Sequence, residues 1–186
     1  MVNIPVNEDL LIRSYRSADA PHLFRAIDEN RQHLRPWLPW VDLTTRESHS
    51  LDYIEDSILQ LHNQEGVAVG IFYKDELIGG MGMLRWDHEL RKAEVGYWIS
   101  QKYEGNGIVS LCLEKFLDYL FSRIDLNKIE IRFIAANSRS ASISNRFQAK
   151  VEGILRESIL SNGSYQDLVI TGILKREWVA RKKASV

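Results

Sequence analysis

Residues 93–121 read AEVGYWISQKYEGNGIVSLCLEKFLDYLF, and the fold turns on this stretch. Its first third is strand-like, its last half carries apolar residues at helical spacing, and KYEGNGIVS (102–110) lies between them. A glycine loop that ends a strand and opens a helix presents unpaired backbone N–H groups at the positive end of a helix dipole. That is a cradle for a phosphate or pyrophosphate. The same spelling also fits an ordinary tight turn whose glycines only relieve steric strain. Two familiar phosphate loops are excluded. A Walker loop needs Gly-Lys-Ser/Thr at its end, and GNGIVS lacks both the lysine and the spacing. A dinucleotide fingerprint needs a third glycine, which is absent.

Working outward, LLIRSY (10–15) alternates like a strand. Ser17 is placed to cap a helix through ADAPHLFRAIDENRQHL, with Leu23, Ile27 and Leu34 at helical spacing. RPWLPW (35–40) ends that helix, because Pro36 and Pro39 disfavour its continuation. A second amphipathic helix in TRESHSLDYIEDSILQLHNQEG puts Leu51, Ile54, Ile58 and Leu61 on one face. Strands follow at 67–73, 76–86 and 92–100, then the loop and a helix to about Ile124, then a strand at 128–136. Asn137 caps a short helix over 137–147. Two last strands flank SNGS, whose Asn162-Gly163 is a two-residue hairpin signal. The order β-α-α-β-β-β-α-β-α-β-β predicts a mixed α/β domain: a mostly antiparallel sheet of about seven strands, four helices and one strand–helix–strand crossover.

Composition sets bounds. The 186 residues are 45% hydrophobic and 26% charged, with a formal net charge of −1, which suits one globular domain over 1–186 and gives no global pull toward nucleic acid. The single cysteine, Cys112, excludes an intrachain disulfide framework and a CxxC metal site. On an apolar helix it reads as packed. The first residues lack the pattern of a signal peptide, and no apolar run reaches the ~18 residues of a membrane span. The expectation is a cytoplasmic protein without a membrane partner or a metal. His22, His49 and His62 lack metal-ligand spacing.

Over nearly the whole chain, Leu10 to Trp178, the sequence resembles the GNAT superfamily of acyl-CoA-dependent N-acetyltransferases. The GYWI strand, the glycine loop with its helix, and the AAN-x-x-S helix start are similar to that family's two core motifs. HLRPWLPW and NGSYQDLVITGILKREW resemble the Rim-type branch, which acetylates the N-termini of ribosomal proteins. The resemblance implies a GNAT fold, acetyl-CoA as co-substrate, and direct attack of an amine on the thioester in a ternary complex. The acceptor implied is a protein N-terminal α-amine. A small amine such as an antibiotic or polyamine, or a CoA-binding module that has lost catalysis, are the alternatives. Where the family pattern is Arg/Gln-x-x-Gly-x-Gly/Ala, this chain has Glu104 first and Val109 last. Glu104 is expected to turn its carboxylate outward and offer its backbone N–H, and the β-branched Val109 to narrow the approach.

The resemblance implies a cofactor set of Tyr97, Trp98 and Ile99 through the main chain, the loop Glu104, Gly105, Asn106, Gly107, Ile108 and Val109, and Asn137 with Ser140. Buried strand residues and an N-cap are the plain roles for Tyr97–Ile99 and Asn137. Ser140 is placed to relay a proton to the thiolate. Glu94, in an otherwise apolar run, is the candidate base, or else a residue paired with Lys92 or Arg132. Asp87 and His88 precede the same strand and are secondary candidates. Trp37 and Trp40 on the proline-stiffened loop, with Tyr165, are candidates for gripping substrate; His33 and Arg35 are further candidates that the sequence does not place. Alternatively the tryptophans fold onto the core. The exposed edge strands of such a sheet, together with the tryptophan loop, suit a homodimer.

Overall fold

The structure is a computed structural model and describes residues 1–161 and 163–184. Its strands are β1 (Asn3–Pro5), β2 (Leu10–Ser14), β3 (Val67–Tyr73), β4 (Glu76–Asp87), β5 (Lys92–Ile99), β6 (Lys128–Ile134), β7 (Lys150–Ser161) and β8 (Ser164–Leu174). They hydrogen-bond in the order β1-β2-β3-β4-β5-β6-β8-β7. The β5–β6 pair is parallel, whereas β1–β2, β2–β3, β3–β4, β6–β8 and β7–β8 are antiparallel. The helices are α1 (Ala20–Asp28), α2 (Arg31–Leu34), α3 (Glu47–His62), α4 (Ile108–Ser122), α5 (Ser138–Arg146) and α6 (Lys175–Ala184). The predicted class holds, with one strand and two helices more than the sequence pattern suggested.

Those differences have local causes. β1 is three residues long, too short for a periodic signal, and is tied down where the Val2 N–H donates to Ser14 Oγ at 2.9 Å. Ser17 does not cap the first helix. Asp19 is the residue before α1 and makes no side-chain cap bond to it; its carboxylate closes the preceding 3-10 turn Ser17–Asp19, accepting the Arg16 N–H at 2.8 Å while Arg13 holds it from the other side at 2.7 and 2.8 Å. The helix then divides at Glu29–Asn30 into α1 and α2. On α3 the buried stripe is Ser50, Ile54 and Ser57, and Ile58 points outward, 44% exposed. Of the expected stripe, Ile54 lies in the core and Leu51 packs against it, so the buried face is rotated toward Ser50 and Ser57 and leaves Ile58 outside. α6 was unread because it is dominated by basic residues and buries one large side chain, Trp178.

Contacts group the chain into two compact units, Met1–Leu84 with Tyr97–Leu117, and Arg85–Gly96 with Asp118–Val186. In the first, Tyr15, Leu23, Ile27, Leu34, Ile54, Phe72 and Leu77 form one buried cluster. Each such large apolar side chain contributes about 1.5–3 kcal/mol through burial. In the second, the Trp178 ring packs against Phe121 and Phe147 at centroid distances of 6.0 and 5.9 Å, and its Nε1–H donates to Asp118 at 2.8 Å. The last hairpin has the two-residue connection expected, with Ser161 paired to Ser164 and Gly163 at φ +74°; Asn162 lies outside the described residues. β7 ends the sheet, bulged between Leu155 and Ile159. The bulge is pinned by the Glu157 N–H on Asp167 at 2.9 Å.

Candidate active site

In the first unit β5 ends at Ile99, and the Ser100 N–H reaches back to Ile78 O at 2.7 Å. One 3-10 turn over Gln101–Tyr103 brings the chain to the glycines. Gly105 and Gly107 both take positive φ, +76° and +72°, a region where other residues are strained. The first bond of α4 runs from the Leu111 N–H to Gly107 O at 3.0 Å. The amides of Ile108, Val109 and Ser110 therefore belong to the first turn, which has no carbonyl of its own helix to bond. A Cβ added at Gly105 or Gly107 would meet nothing within 4 Å. The main chain here opens onto free space, so an anion can reach it. The Asn106 side chain folds back, donating to Tyr103 O and Glu104 O at 3.4 and 3.2 Å.

Glu104 departs from its expected pose on both counts. Its N–H donates to Gln101 O at 3.1 Å, so the backbone group is spent on the turn. Its carboxylate does not face water; Oε1 stands 3.0 Å from His33 Nε2, with the two side chains only 18% and 13% exposed. A polar partner on α2 outcompetes hydration there.

The strand before the loop is fitted by glycines on its neighbour. A Cβ on Gly79 would come within 2.4 Å of Trp98 O, and one on Gly80 within 2.8 Å of Trp98 Nε1. Only glycine lets β4 lie this close beneath Trp98. Trp40 sets its ring edge-on to Trp98, centroids 6.4 Å apart. Trp40 remains 38% exposed and Trp37 half-buried. Their loop is anchored by Arg31, which donates to Val41 O and to Thr44 O, the latter at 2.7 Å, and by the Arg35–Asp42 pair at 2.8 Å.

In the second unit, Glu94 stands between two guanidiniums. Its Oε2 lies 3.1 Å from Arg85 Nη1 and 3.3 Å from Arg132 Nε. These contacts are ion pairs, off-line for a hydrogen bond. Arg132 also pairs with Glu130 at 2.8 Å, Glu130 with Lys128 at 3.1 Å, and Lys128 with Glu152. The result is a ladder of alternating charge, Arg85–Glu94–Arg132–Glu130–Lys128–Glu152. Burial alone would raise the Glu130 carboxyl, but hydrogen bonds from Arg132 and Lys128 and their charges hold it below its ordinary value. The β5–β6 ladder ends at Glu94↔Glu130 although both strands continue, to Ile99 and Ile134.

Asn137 caps α5 as expected, its Oδ1 accepting the Ser140 N–H at 3.1 Å, and Ser140 is half-buried behind it. Tyr165 is 68% exposed on β8. Asp87 accepts the Leu90 N–H at 2.8 Å, an ordinary turn contact, and His88 stacks on Trp86 at 4.3 Å. Cys112 is fully buried, and burial pushes its thiol up to about 12, so it is a packing residue. Among the described residues no group of three His, Cys, Asp or Glu could hold a metal ion, and no helix is long and apolar enough to cross a membrane.

The Acetyltransferase (GNAT) domain family matches residues 9–150. The chain belongs to the GNAT acetyltransferases. It is 32% identical over 183 residues to the putative ribosomal N-acetyltransferase YdaF of Bacillus subtilis (strain 168), covering 98% of this chain and 100% of that one. It is 27% identical to the ribosomal-protein-serine acetyltransferase of Escherichia coli (strain K12), over 89% and 92% of the two chains. In fold it is similar to RimL, a ribosomal L7/L12 α-N-protein acetyltransferase solved with coenzyme A. The TM-score there is 0.90 at 22% identity, over 93% of this chain and 98% of that one.

As a GNAT acetyltransferase the protein uses acetyl-CoA as its acyl donor. The loop fits that group: two open positive-φ glycines and a helix N-terminus suit a diphosphate. The alternative pairing of Glu94 with Arg132 is what the structure shows. The rest of the ladder and the His33–Glu104 contact were missed from sequence; the latter joins residues far apart in the chain.

Proposed function

We propose that this acetyltransferase modifies the N-terminal α-amine of a ribosomal protein in the cytoplasm. The end-to-end similarity to YdaF carries the proposal. When bound, acetyl-CoA supplies an acetyl group activated as a thioester. The amides of Gly105, Gly107, Ile108 and Val109 hold its diphosphate, with Asn106 bracing the loop. The main chain of Tyr97, Trp98 and Ile99 orients the pantetheine arm and offers donors to the carbonyl oxygen. By their match to the family's AAN-x-x-S motif, Asn137 and Ser140 are also assigned to the cofactor, with the Ser140 hydroxyl as the proton donor to the departing sulfur. Trp37, Trp40 and Tyr165 are the acceptor-side contacts.

Two observations support a peptide α-amine as acceptor. Trp40 is an exposed aromatic on an anchored loop and touches Trp98 of the cofactor strand, which gives a chain end a surface to lie on. The second is the placement of Glu94 between two guanidiniums, which leaves the proton to be lost by the amine itself. An α-amine with a pKa of about 8 is roughly one-tenth neutral at pH 7, whereas a lysine amine is neutral in roughly one part in two thousand. The test is a mass-spectrometric acetylation screen of peptides beginning with Ser or Ala, peptides with internal lysine only, and polyamines. Transfer to the first group alone is expected. Transfer to polyamines alone would replace the peptide acceptor by a small amine, and binding without any transfer would indicate a lapsed enzyme.

A further inference from the structure

Charge is unevenly placed in this chain. Of its 24 Lys and Arg and 25 Asp and Glu, α6 alone holds five of the cations and one of the acids. The other residues carry 19 cations against 24 acids. The overall charge gives no pull toward a polyanion, whereas this one helix does.

One side of α6 is anchored. Trp178 packs against Phe121 and Phe147. Lys182 pairs with Asp118 at 3.0 Å, Lys175 with Asp125, and Glu177 with Lys150 at 2.6 Å. The Arg181 guanidinium lies 5.1 Å from the centre of the Phe147 ring. Arg176 and Lys183 are exposed. Seven residues apart, they share a face two turns apart, about 10 Å along the axis. Arg146 and Lys150 are exposed as well, on either side of Phe147 in the chain.

Helix stability accounts for only part of this charge. Arg181, Lys182 and Lys183 in the last turn suit the negative end of the helix dipole. Lys175 and Arg176 open the helix, where the same dipole repels them. Asp125 offsets Lys175, and Glu177 is engaged by Lys150. The exposed Arg176 is thus unfavourable for the helix itself and is presented to the outside.

The chemistry of the face selects its partner. Among the described residues of α6, Val179 is the one exposed large apolar side chain, and Trp178 is turned inward. A helix that lies on a membrane needs a broad apolar face. A protein interface needs an aromatic or apolar anchor at its centre. A cationic face with neither suits a sugar-phosphate backbone, where binding is electrostatic and independent of sequence. Over about 10 Å a duplex carries on the order of six phosphates.

We infer that the outer face of α6, with Arg176 and Lys183 on it, is an RNA-backbone contact through which the enzyme docks beside its ribosomal-protein acceptor. The identity of the nucleic acid rests on the acceptor reading given above.

The test is fluorescence anisotropy with a labelled RNA hairpin as the probe, from about 50 to 200 mM KCl. Wild type is compared with Arg176→Gln/Lys183→Gln, each checked by thermal melting. Both positions are exposed and lie outside the cofactor and acceptor contacts, so transfer to a free Ser-initiated peptide should stay within about twofold. The double variant should bind the hairpin at least about tenfold more weakly, with a log–log salt slope lower by about 2. The single variants, each expected to lower the slope by about 1, serve in its place if it melts early. A poly-glutamate peptide and phosphatidylserine vesicles are titrated in parallel. If either binds more tightly than the hairpin and loses that affinity in the double variant, the face belongs to an acidic protein or a membrane and the inference is overturned. An RNA affinity unchanged in the double variant, or no binding of the hairpin by wild type at the lowest salt, would overturn it too. If the free peptide is not acetylated while hairpin binding and its slope behave as expected, the acceptor reading falls and the RNA contact stands.

Discussion

Glu94→Gln separates proton abstraction from charge pairing, because the two roles predict effects of very different size. The substitution keeps the side-chain shape and removes one negative charge. Two partners are left behind. Arg85 is 67% exposed and is rehydrated at little cost. Arg132 is 23% exposed and keeps Glu130 at 2.8 Å. Exposed ion pairs contribute about 0–1 kcal/mol, and solvent screening of the Arg85 side keeps the sum near about 1 kcal/mol. For a chain of this size that is a melting-temperature drop of about 2–4 °C. The effect on kcat/KM for a Ser-initiated peptide should stay below about threefold. A general base lost from the transition state would cost about 10²–10⁴. The assay is steady-state thiol release at saturating acetyl-CoA, with thermal melting on the same samples. A hundredfold fall in kcat with the melting temperature preserved would refute the charge-pairing account and restore Glu94 as the base.

Two further outcomes concern stability. Trp178→Ala removes the one large buried side chain of α6 together with its bond to Asp118, and should cost about 3–5 kcal/mol in urea unfolding; a loss under about 1 kcal/mol would mean that α6 is not anchored through this ring. Asp19 gives a pH signature. Burial alone would raise its carboxyl, but hydrogen bonds from Arg13 and the Arg16 N–H, with the Arg13 charge, hold it below its ordinary value. A folded value below the unfolded one stabilises above the unfolded pKa of about 3.9, and that stability is lost as pH falls through the folded value. The stability gap between wild type and Asp19→Asn should therefore be flat from about pH 5 to 8 and close below about pH 4; a gap unchanged by acid would remove Asp19 from the acid limb.

Local patterning made much of this legible. β3 runs over Val67–Tyr73 as read, and Asn137 caps α5 with the bond its side chain suggests. The two-residue hairpin connection also follows from its spelling. Periodicity reports burial within one element, so it failed where burial is set from outside. Ile58 looks apolar and faces outward, while Ser50 and Ser57 face inward. α6 looks like a charged tail, yet Trp178 is packed between Phe121 and Phe147. The glycine loop was legible as the join between a strand and a helix, with both glycines at positive φ, but its acidic flank was misread, because no pattern near Glu104 announces His33.

The two carboxylates closest in sequence to the cofactor strand and loop share one physical fate. Glu94 is met by Arg85 and Arg132, and Glu104 by His33. A carboxylate on a partly buried strand or loop must find a partner, since desolvation without one is costly, and here Arg132 and His33 come from distant sequence while Arg85 comes from the neighbouring strand. An acidic residue beside a catalytic motif is therefore weak evidence for a base until its neighbours are known. Once both acids are committed, the burden of deprotonation shifts to the acceptor. An amine already partly neutral at working pH requires only an exit for its proton, which is the condition a chain N-terminus meets and a lysine side chain does not.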